Sequence, residues 1–478
     1  MSLDRSSVVE RIWALDHTVW KPDPTEISNR LGWLDVMTAM RARAPELDTF
    51  AAQARAEGFT TAVLLGMGGS SLAPEVLRDT FGARAGIDLV VLDTTHPGAI
   101  ARVEASLDLD RTLFIVASKS GRTIETLSHL AYFSSKVPAS HFVAITDPGT
   151  SLGERARAEG FREVFVNPPD IGGRYSALSM FGLVPAALLG IDVGVLLDGA
   201  AEMARACEAS DGPGASLGFA IGDAALAGRD KCTIVLPSEL RSLGVWIEQL
   251  IAESTGKEGK GIVPVVDEPR GEPEDTGDDR LFVAYGEVGV PGDAVVRLPA
   301  CSASDLGGEF FRWEFATAVA CAVLGINAFD QPNVEEAKAA TAAILSGDAV
   351  AEPAMDDVPA TFATVKPGEY VAIQAYIDPT PENHALLTEA RAGLCETLGV
   401  ATTLGFGPRF LHSTGQLHKG GANNVVCLQI VDPDAGPDTA IPGASYTFGQ
   451  LIRAQALGDL QALRARGRRV ARTSLLDM

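Results

Sequence analysis

A chain of 478 residues exceeds what one hydrophobic core organises, and with 46% hydrophobic and 21% charged residues it has the composition of a globular protein of about two to four domains. A net charge of −23 without a basic tract argues against nucleic acid and membrane partners, yet leaves room for a locally positive pocket and a small anionic ligand. Cys207, Cys232, Cys301, Cys321, Cys395 and Cys427 form no C-x-x-C pair and read as buried free thiols; with no apolar leader and no long apolar window, the expected location is cytoplasmic.

Residues 1–50 read as an irregular and helical lead-in. From residue 51 the pattern alternates: "TTAVLLGMG", "DLVVLDT", "TLFIVAS" and "HFVAITD" are short apolar runs, each followed by a helical pattern. Runs of this kind, apolar on both faces and separated by helices, predict a doubly wound parallel sheet. A first unit over 51–195 is followed by a second over 196–350. Its strands are "KCTIVLP", "RLFVAYGE" and "AVVRLPA", its helices "ELRSLGVWIEQLIAES", 308–323 and 332–346. After the acidic stretch "GDAVAEPAMDDVP", residues 351–478 form a C-terminal α/β segment. It contains "YVAIQAYID", a helix near 381–398, "NNVVCLQIV" and the basic "LQALRARGRRVARTSL". The fold class is α/β, two doubly wound parallel-sheet units with a C-terminal extension. In such sheets ligands sit beyond the carboxyl ends of the strands, so the loops there are the candidates for chemistry.

Two of these loops stand out. "TLFIVASKSGRTIETLSHL" hands a strand to a helix through Ser118, Lys119, Ser120, Gly121, Arg122 and Thr123. Free backbone N–H groups and the dipole at that helix start suit an anion, and the hydroxyls add donors; a plain Ser/Thr helix cap is the alternative. "LLGMGGSSL" places Gly66, Gly68, Gly69, Ser70 and Ser71 after the first strand. A dinucleotide fingerprint with Asp93 on the ribose is a weak reading here, because the G-x-G is followed by Gly-Ser-Ser.

"GMGGSSLAPE", "SKSGRTIET", "GGRYSALS", "QLIAESTGKEGKG" and "NAFDQPNVEEAK" occur in this order over about residues 60–340. Together they resemble the phosphoglucose isomerase family, whose fold is built from sugar isomerase (SIS-type) domains. "FLHSTGQLHKGG" resembles the isomerase half of bifunctional transaldolase–phosphoglucose isomerase proteins, so fusion to or partnership with a transaldolase domain is left open. The resemblance implies aldose–ketose isomerisation of glucose 6-phosphate and fructose 6-phosphate through an enediol(ate). Neither metal nor other cofactor is expected, and the partners expected are a sugar phosphate and a second copy in a homodimer.

The residues that match the family motifs acquire roles by that resemblance. Glu253 is the base that moves the proton between the first two carbons, and Gln249, one helical turn earlier, shares its face. Arg174, after two glycines, suits a developing enediolate. Lys338, on a helix that Pro332 opens at its first position, assists ring opening, with Gln331 two turns earlier and near the phosphate. Gly69, Ser70, Ser118, Lys119, Ser120 and Thr123 match phosphate and sugar contacts; Lys119 can instead position its loop, and Arg122 has no assigned role. Many family members carry a ring-opening histidine between the glutamate and lysine motifs, but this sequence has none between His141 and His384. His412 and His418 are equal candidates for that task, while His17, His96 and His129 read as structural. The competing functions are an isomerase that also accepts mannose 6-phosphate and a non-catalytic sugar-phosphate sensor.

Overall fold

The computed structural model describes residues 4–84, 86–269, 277–290, 294–347, 353–433 and 438–477. The lead-in supplies α1 (Arg5–Trp13) and α2 (Val36–Ala56), which continues past the expected boundary at residue 50. This segment is a staple more than a leader. Trp20 donates its indole N–H to the Ala318 carbonyl at 2.8 Å, and Trp33 is fully buried against Tyr175 with ring centroids 5.0 Å apart.

The first sheet is built from β1 (Thr61–Gly66), β2 (Asp88–Leu92), β3 (Thr112–Ala117), β4 (Phe142–Thr146) and β5 (Glu163–Val166), with α3 (Leu72–Phe81), α4 (Pro97–Ser106), α5 (Ile124–Ser134) and α6 (Ser151–Glu159) between them. Its order is β2-β1-β3-β4-β5 and every pair is parallel. β3 is buried along its whole length, as its uninterrupted apolar run requires. β5 carries the short sequence EVFV, too brief to register as a strand by pattern.

Helices α7 (Met180–Leu188), α8 (Val193–Ala206) and α9 (Pro213–Leu226) lead to the second sheet. That sheet holds β6 (Lys231–Val235), β7 (Val263–Val266), β8 (Arg280–Tyr285) and β9 (Val295–Leu298) in the parallel order β7-β6-β8-β9, with α10 (Leu243–Thr255) following β6. Pro264 inside β7 sits at the sheet edge, where its missing N–H costs least. α11 (Leu306–Leu324) packs on α8 and α9, and α12 (Val334–Leu345) follows.

The C-terminal segment is a third parallel α/β unit. It contains α13 (Val358–Phe362), β10 (Tyr370–Tyr376), α14 (Pro381–Leu398), β11 (Ala401–Phe406), α15 (Gly415–Gly420), β12 (Val425–Val431), α16 (Phe448–Ala465) and β13 (Arg469–Ser474). The strand order is β11-β10-β12-β13. α16 packs along α12, so this unit leans on the helix that carries Lys338.

α10 is buried on all sides from Trp246 to Thr255, so it is a core helix. Two expectations change. α12 starts at Val334 with Asn333 as its cap, which leaves Pro332 and Gln331 in the loop before it. Cys301 and Cys395 are only half-buried, although all six cysteines are free. Part of the acidic stretch before the third unit, residues 348–352, lies outside the described residues. Among the described residues no helix is long and apolar enough to cross a membrane.

Candidate active site

The turn after β1 shows why its glycines are glycines. A Cβ on Gly69 would lie 2.0 Å from the Gly173 carbonyl oxygen, and one on Gly68, at φ +53°, would lie 2.8 Å from both the Gln249 amide nitrogen and the His412 carbonyl oxygen. Four segments therefore converge on one loop: the β1 turn, the Gly-Gly-Arg turn, α10 and the 409–412 segment of the third unit. Ser70 is buried in the same turn.

α10 delivers Gln249 and Glu253 to this point. Gln249 Nε2 donates to Glu253 Oε2 at 3.0 Å and to the His412 carbonyl at 2.8 Å, which fixes the carboxylate against the third unit. Arg174 is 2% exposed. Its Nη1 and Nη2 each lie 3.1 Å from Gln331 Oε1, Nη2 donates to the Asp330 carbonyl at 2.8 Å, and Nε stands 3.7 Å from Glu253 Oε2. Gln331 reaches the site from the loop before α12 and thus meets Arg174 without sharing a helix face with Lys338. Arg174 Nε and Gln249 Oε1 are buried without hydrogen-bond partners. Buried polar atoms left open in this way are suited to a polar ligand.

Lys257, from the same motif as Glu253, is a site residue that the sequence reading passes over. Its buried ammonium donates to Asp330, at 2.6 Å to the carbonyl and 2.7 Å to Oδ1, so it holds the turn that presents Gln331 to Arg174. Burial, then the neighbouring Arg174 charge, push the Lys257 pKa down.

At the end of β3, Ser118 Oγ and Thr123 Oγ1 lie 2.9 Å from each other, and Thr123, at the cap position of α5, makes no side-chain cap bond. The simple helix-cap alternative therefore fails. The hydroxyls pair with one another and leave the helix-start amides to a further acceptor. Gly121 takes φ +66°, and Ser120 is exposed and accepts from the Arg122 N–H at 3.3 Å. Lys119 is committed to Asp147 and to the Pro169 carbonyl, so it positions the loop. Arg122 is exposed.

Glu125, in the first turn of α5, joins this convergence and was missed by pattern reading. It is 3% exposed, and its Oε1 receives His412 Nε2 at 3.0 Å and Gln455 Nε2 at 2.7 Å. Burial alone would raise its pKa, but the charge and hydrogen bond of His412 outweigh it and the net direction is down. His418 lies elsewhere. Its ring is buried between Tyr370 and Phe410, Nδ1 is 2.9 Å from Gln374 Nε2, and burial with the charges of Lys419 and Arg468 lowers its pKa to about 3. Of the two candidate histidines, His412 is the one placed at the α5 start, and His418 lies in the core of the third unit. Lys338 is exposed and pairs with Glu335 at 2.8 Å; its charge is felt by Glu125, but it touches neither Glu253 nor Arg174. Asp93 accepts from Ser71 at 3.1 Å and from Arg409 at 2.7 Å in a buried setting, which removes it from any ribose role.

His129 and His96 are internal. His129 Nε2 is 2.9 Å from the Thr94 carbonyl, with burial lowering its pKa to about 4, and His96 Nδ1 accepts from the Gly98 N–H at 3.2 Å at the start of α4. His17 Nε2 is 3.1 Å from the Pro22 carbonyl.

The family model for phosphoglucose isomerase matches residues 34–270. A glucose-6-phosphate isomerase of Rubrobacter xylanophilus is 30% identical over 362 residues, which cover 60% of this chain and 83% of that protein. The chain belongs to the phosphoglucose isomerase family. A probable glucose-6-phosphate isomerase of Methanococcus maripaludis is 27% identical over 374 residues, covering 66% of this chain and 84% of the relative. Among solved structures, a hypothetical protein from Thermus thermophilus aligns with a TM-score of 0.61 and 25% identity over 72% of this chain and 95% of that one. A glucose-6-phosphate isomerase from Chlamydia trachomatis aligns with a TM-score of 0.60 at 20% identity, over 72% and 84%. The fold and family expectations from the motifs agree with these matches.

Proposed function

We propose that this chain interconverts glucose 6-phosphate and fructose 6-phosphate by ring opening and proton transfer through an enediolate. The observation that carries the reading is the buried meeting of Glu253 with Arg174, 3.7 Å apart; the paired Ser118 and Thr123 hydroxyls at the α5 start support it. The phosphate docks on the Ser118–Thr123 loop, where the α5 amides and dipole receive a dianion. Glu253, oriented by Gln249, takes a proton from one carbon and returns it to the next. As the carbonyl oxygen becomes an enediolate, charge grows near the guanidinium of Arg174, whose geometry Gln331 and the Lys257–Asp330 pair already fix. His412, held by Glu125, moves a proton between ring oxygen and anomeric hydroxyl; a nearby carboxylate suits the imidazolium phase of that task.

A sensor would need the phosphate loop but not this carboxylate, guanidinium and imidazole in one place. The test is a coupled assay on the purified chain with fructose 6-phosphate, mannose 6-phosphate in a parallel arm. Glucose 6-phosphate forming from fructose 6-phosphate is the expected result. Sugar-phosphate binding without turnover would overturn the reading in favour of the sensor.

A further inference from the structure

His412 ends a single 3₁₀ turn, Arg409–His412, closed by the Ser413 N–H on the Phe410 carbonyl at 3.0 Å. One such turn does not hold its place by its own hydrogen bonds. Its back is fastened in the third unit, where Phe410 is buried against the Tyr376 ring with centroids 5.3 Å apart. Its front is fastened across the junction between units, and Arg409 makes the charged part of that fastening. Arg409 Nε donates to Asp93 Oδ2 at 2.7 Å, and Nη2 stands 2.7 Å from Glu75 Oε2.

Both carboxylates belong to the first unit. Asp93 directly follows β2 and is buried; Glu75 lies in the first turn of α3 and is held from its other oxygen by Arg78 at 3.2 Å. Asp93 Oδ2 also accepts from Ser71 Oγ at 3.1 Å, and Ser71 closes the β1 turn whose Gly68 faces the His412 carbonyl. One carboxylate oxygen thus ties the β1 turn to the histidine turn. The isomerisation steps give Arg409, Asp93 and Glu75 no part of their own.

We infer that Arg409 is a positioning residue for ring opening: its clamp on Asp93 and Glu75 sets the place of the His412 ring, which makes that step depend on how the third unit docks; this rests on the proposed ring-opening role of His412. A guanidinium suits the task because its planar fork reaches two carboxylates at once, which a single ammonium matches poorly. The displacement need only be small, since about 1 Å of misplacement costs a reaction on the order of 10²-fold. Glu253 is carried by α10 and keeps its Gln249 hydrogen bond, so proton transfer between the carbons does not depend on the clamp.

The test measures, in the full chain, the ratio of turnover on cyclic sugar phosphate to solvent hydrogen exchange on the open-chain form. Arg409→Gln should lower that ratio by about tenfold or more, and Arg409→Lys should recover part of it. In a His412→Ala background, Arg409→Gln should change the ratio by less than about twofold, because the clamp acts through the ring. His418→Ala, which empties a buried position of the third unit and leaves the clamp intact, should keep the parental ratio. If Arg409→Gln does not fold, because it leaves the buried Asp93 without its cation, the triple variant Arg409→Gln, Asp93→Asn, Glu75→Gln removes the three charges together and gives the same readout. A parental ratio in the Arg409 variant, with the ratio lowered in His412→Ala, would overturn the positioning role alone. A parental ratio in His412→Ala would overturn the ring-opening role and the clamp with it. An equal fall in His418→Ala would mean that any loosening of the third unit suffices, which would also overturn the assignment to Arg409.

Discussion

Glu125 and His412 lie 287 residues apart in the chain and 3.0 Å apart in the fold. Glu125 comes from the first turn of α5 and His412 from the segment between β11 and α15, so the third unit closes the site of the first. His412 comes from the chain's own C-terminal unit, and the Gln249 amide donates to its carbonyl at 2.8 Å. His418, only six residues on, faces Gln374 and the core of the third unit.

The two histidines therefore predict different defects. His412→Ala should cut turnover on cyclic sugar phosphate by about 10²–10⁴-fold, the usual worth of a positioned general acid–base group, while exchange on open-chain substrate falls less. His418→Ala should leave the ratio of those two rates unchanged and lower the melting temperature, because it empties a buried ring position. Steady-state rates on the two forms of substrate, with a thermal melt of each variant, decide it. Equal rate ratios in His412→Ala and the parent would remove His412 from ring opening.

Glu253→Gln keeps the amide-to-carboxylate shape that Gln249 grips and deletes the base. Solvent hydrogen exchange into the reacting carbon should fall by at least about 10²-fold while substrate affinity changes little, since the phosphate anchor is on another helix. Exchange retained within about tenfold of the parent, roughly 1.4 kcal/mol of barrier, would exclude Glu253 as the base.

Ser120→Ala combined with Thr123→Ala should weaken fructose 6-phosphate and inorganic phosphate by similar factors, about tenfold, because both anions use the α5 start. Thr123 is paired with Ser118, so its loss also frees that hydroxyl. Inhibition by phosphate measured beside KM gives both numbers. A change in KM with phosphate inhibition unmoved would place the anion elsewhere.

Much of this site was legible because its residues fall in contiguous motifs, where a strand end or helix turn fixes which side chains meet. Gln249 and Glu253 are one turn apart on α10, and the structure joins them at 3.0 Å. The Ser118–Thr123 turn was readable for the same reason. What the chain could not reveal was long-range pairing: nothing local distinguishes His412 from His418, or Glu125 from any other first-turn acid. The roles of Lys338 and Gln331 depended on where α12 begins, and Pro332 misled because proline tolerates a loop as well as a first helical position. β5, β7, β11 and β13 escaped pattern reading, β5 for brevity, β7 because Pro264 is allowed at a sheet edge, and β13 because its arginines read as a basic tail.

Glu248 yields the last prediction, a pH dependence with a definite sign. It sits on α10 beside Gln249, is 8% exposed, and has no hydrogen-bond or ion-pair partner among the described residues. Burial raises its pKa from 4.5 to about 8, against the opposing pull of Arg391 and Arg409 and with a smaller push from Asp267. Between those two values the folded chain keeps a proton that the unfolded chain has released. The contribution of this residue to stability is therefore fullest below about pH 4.5, declines as pH rises, and is lost once pH passes about 8. Glu248→Gln retains the neutral shape and does not titrate. The variant should match the parent near about pH 4.5 and gain on it by at most about 1.4 kcal/mol per pH unit, with the gap level above about pH 8. Urea unfolding of both proteins across that range measures the gap. A difference that stays flat with pH would mean that the Glu248 carboxyl is solvated in the folded chain.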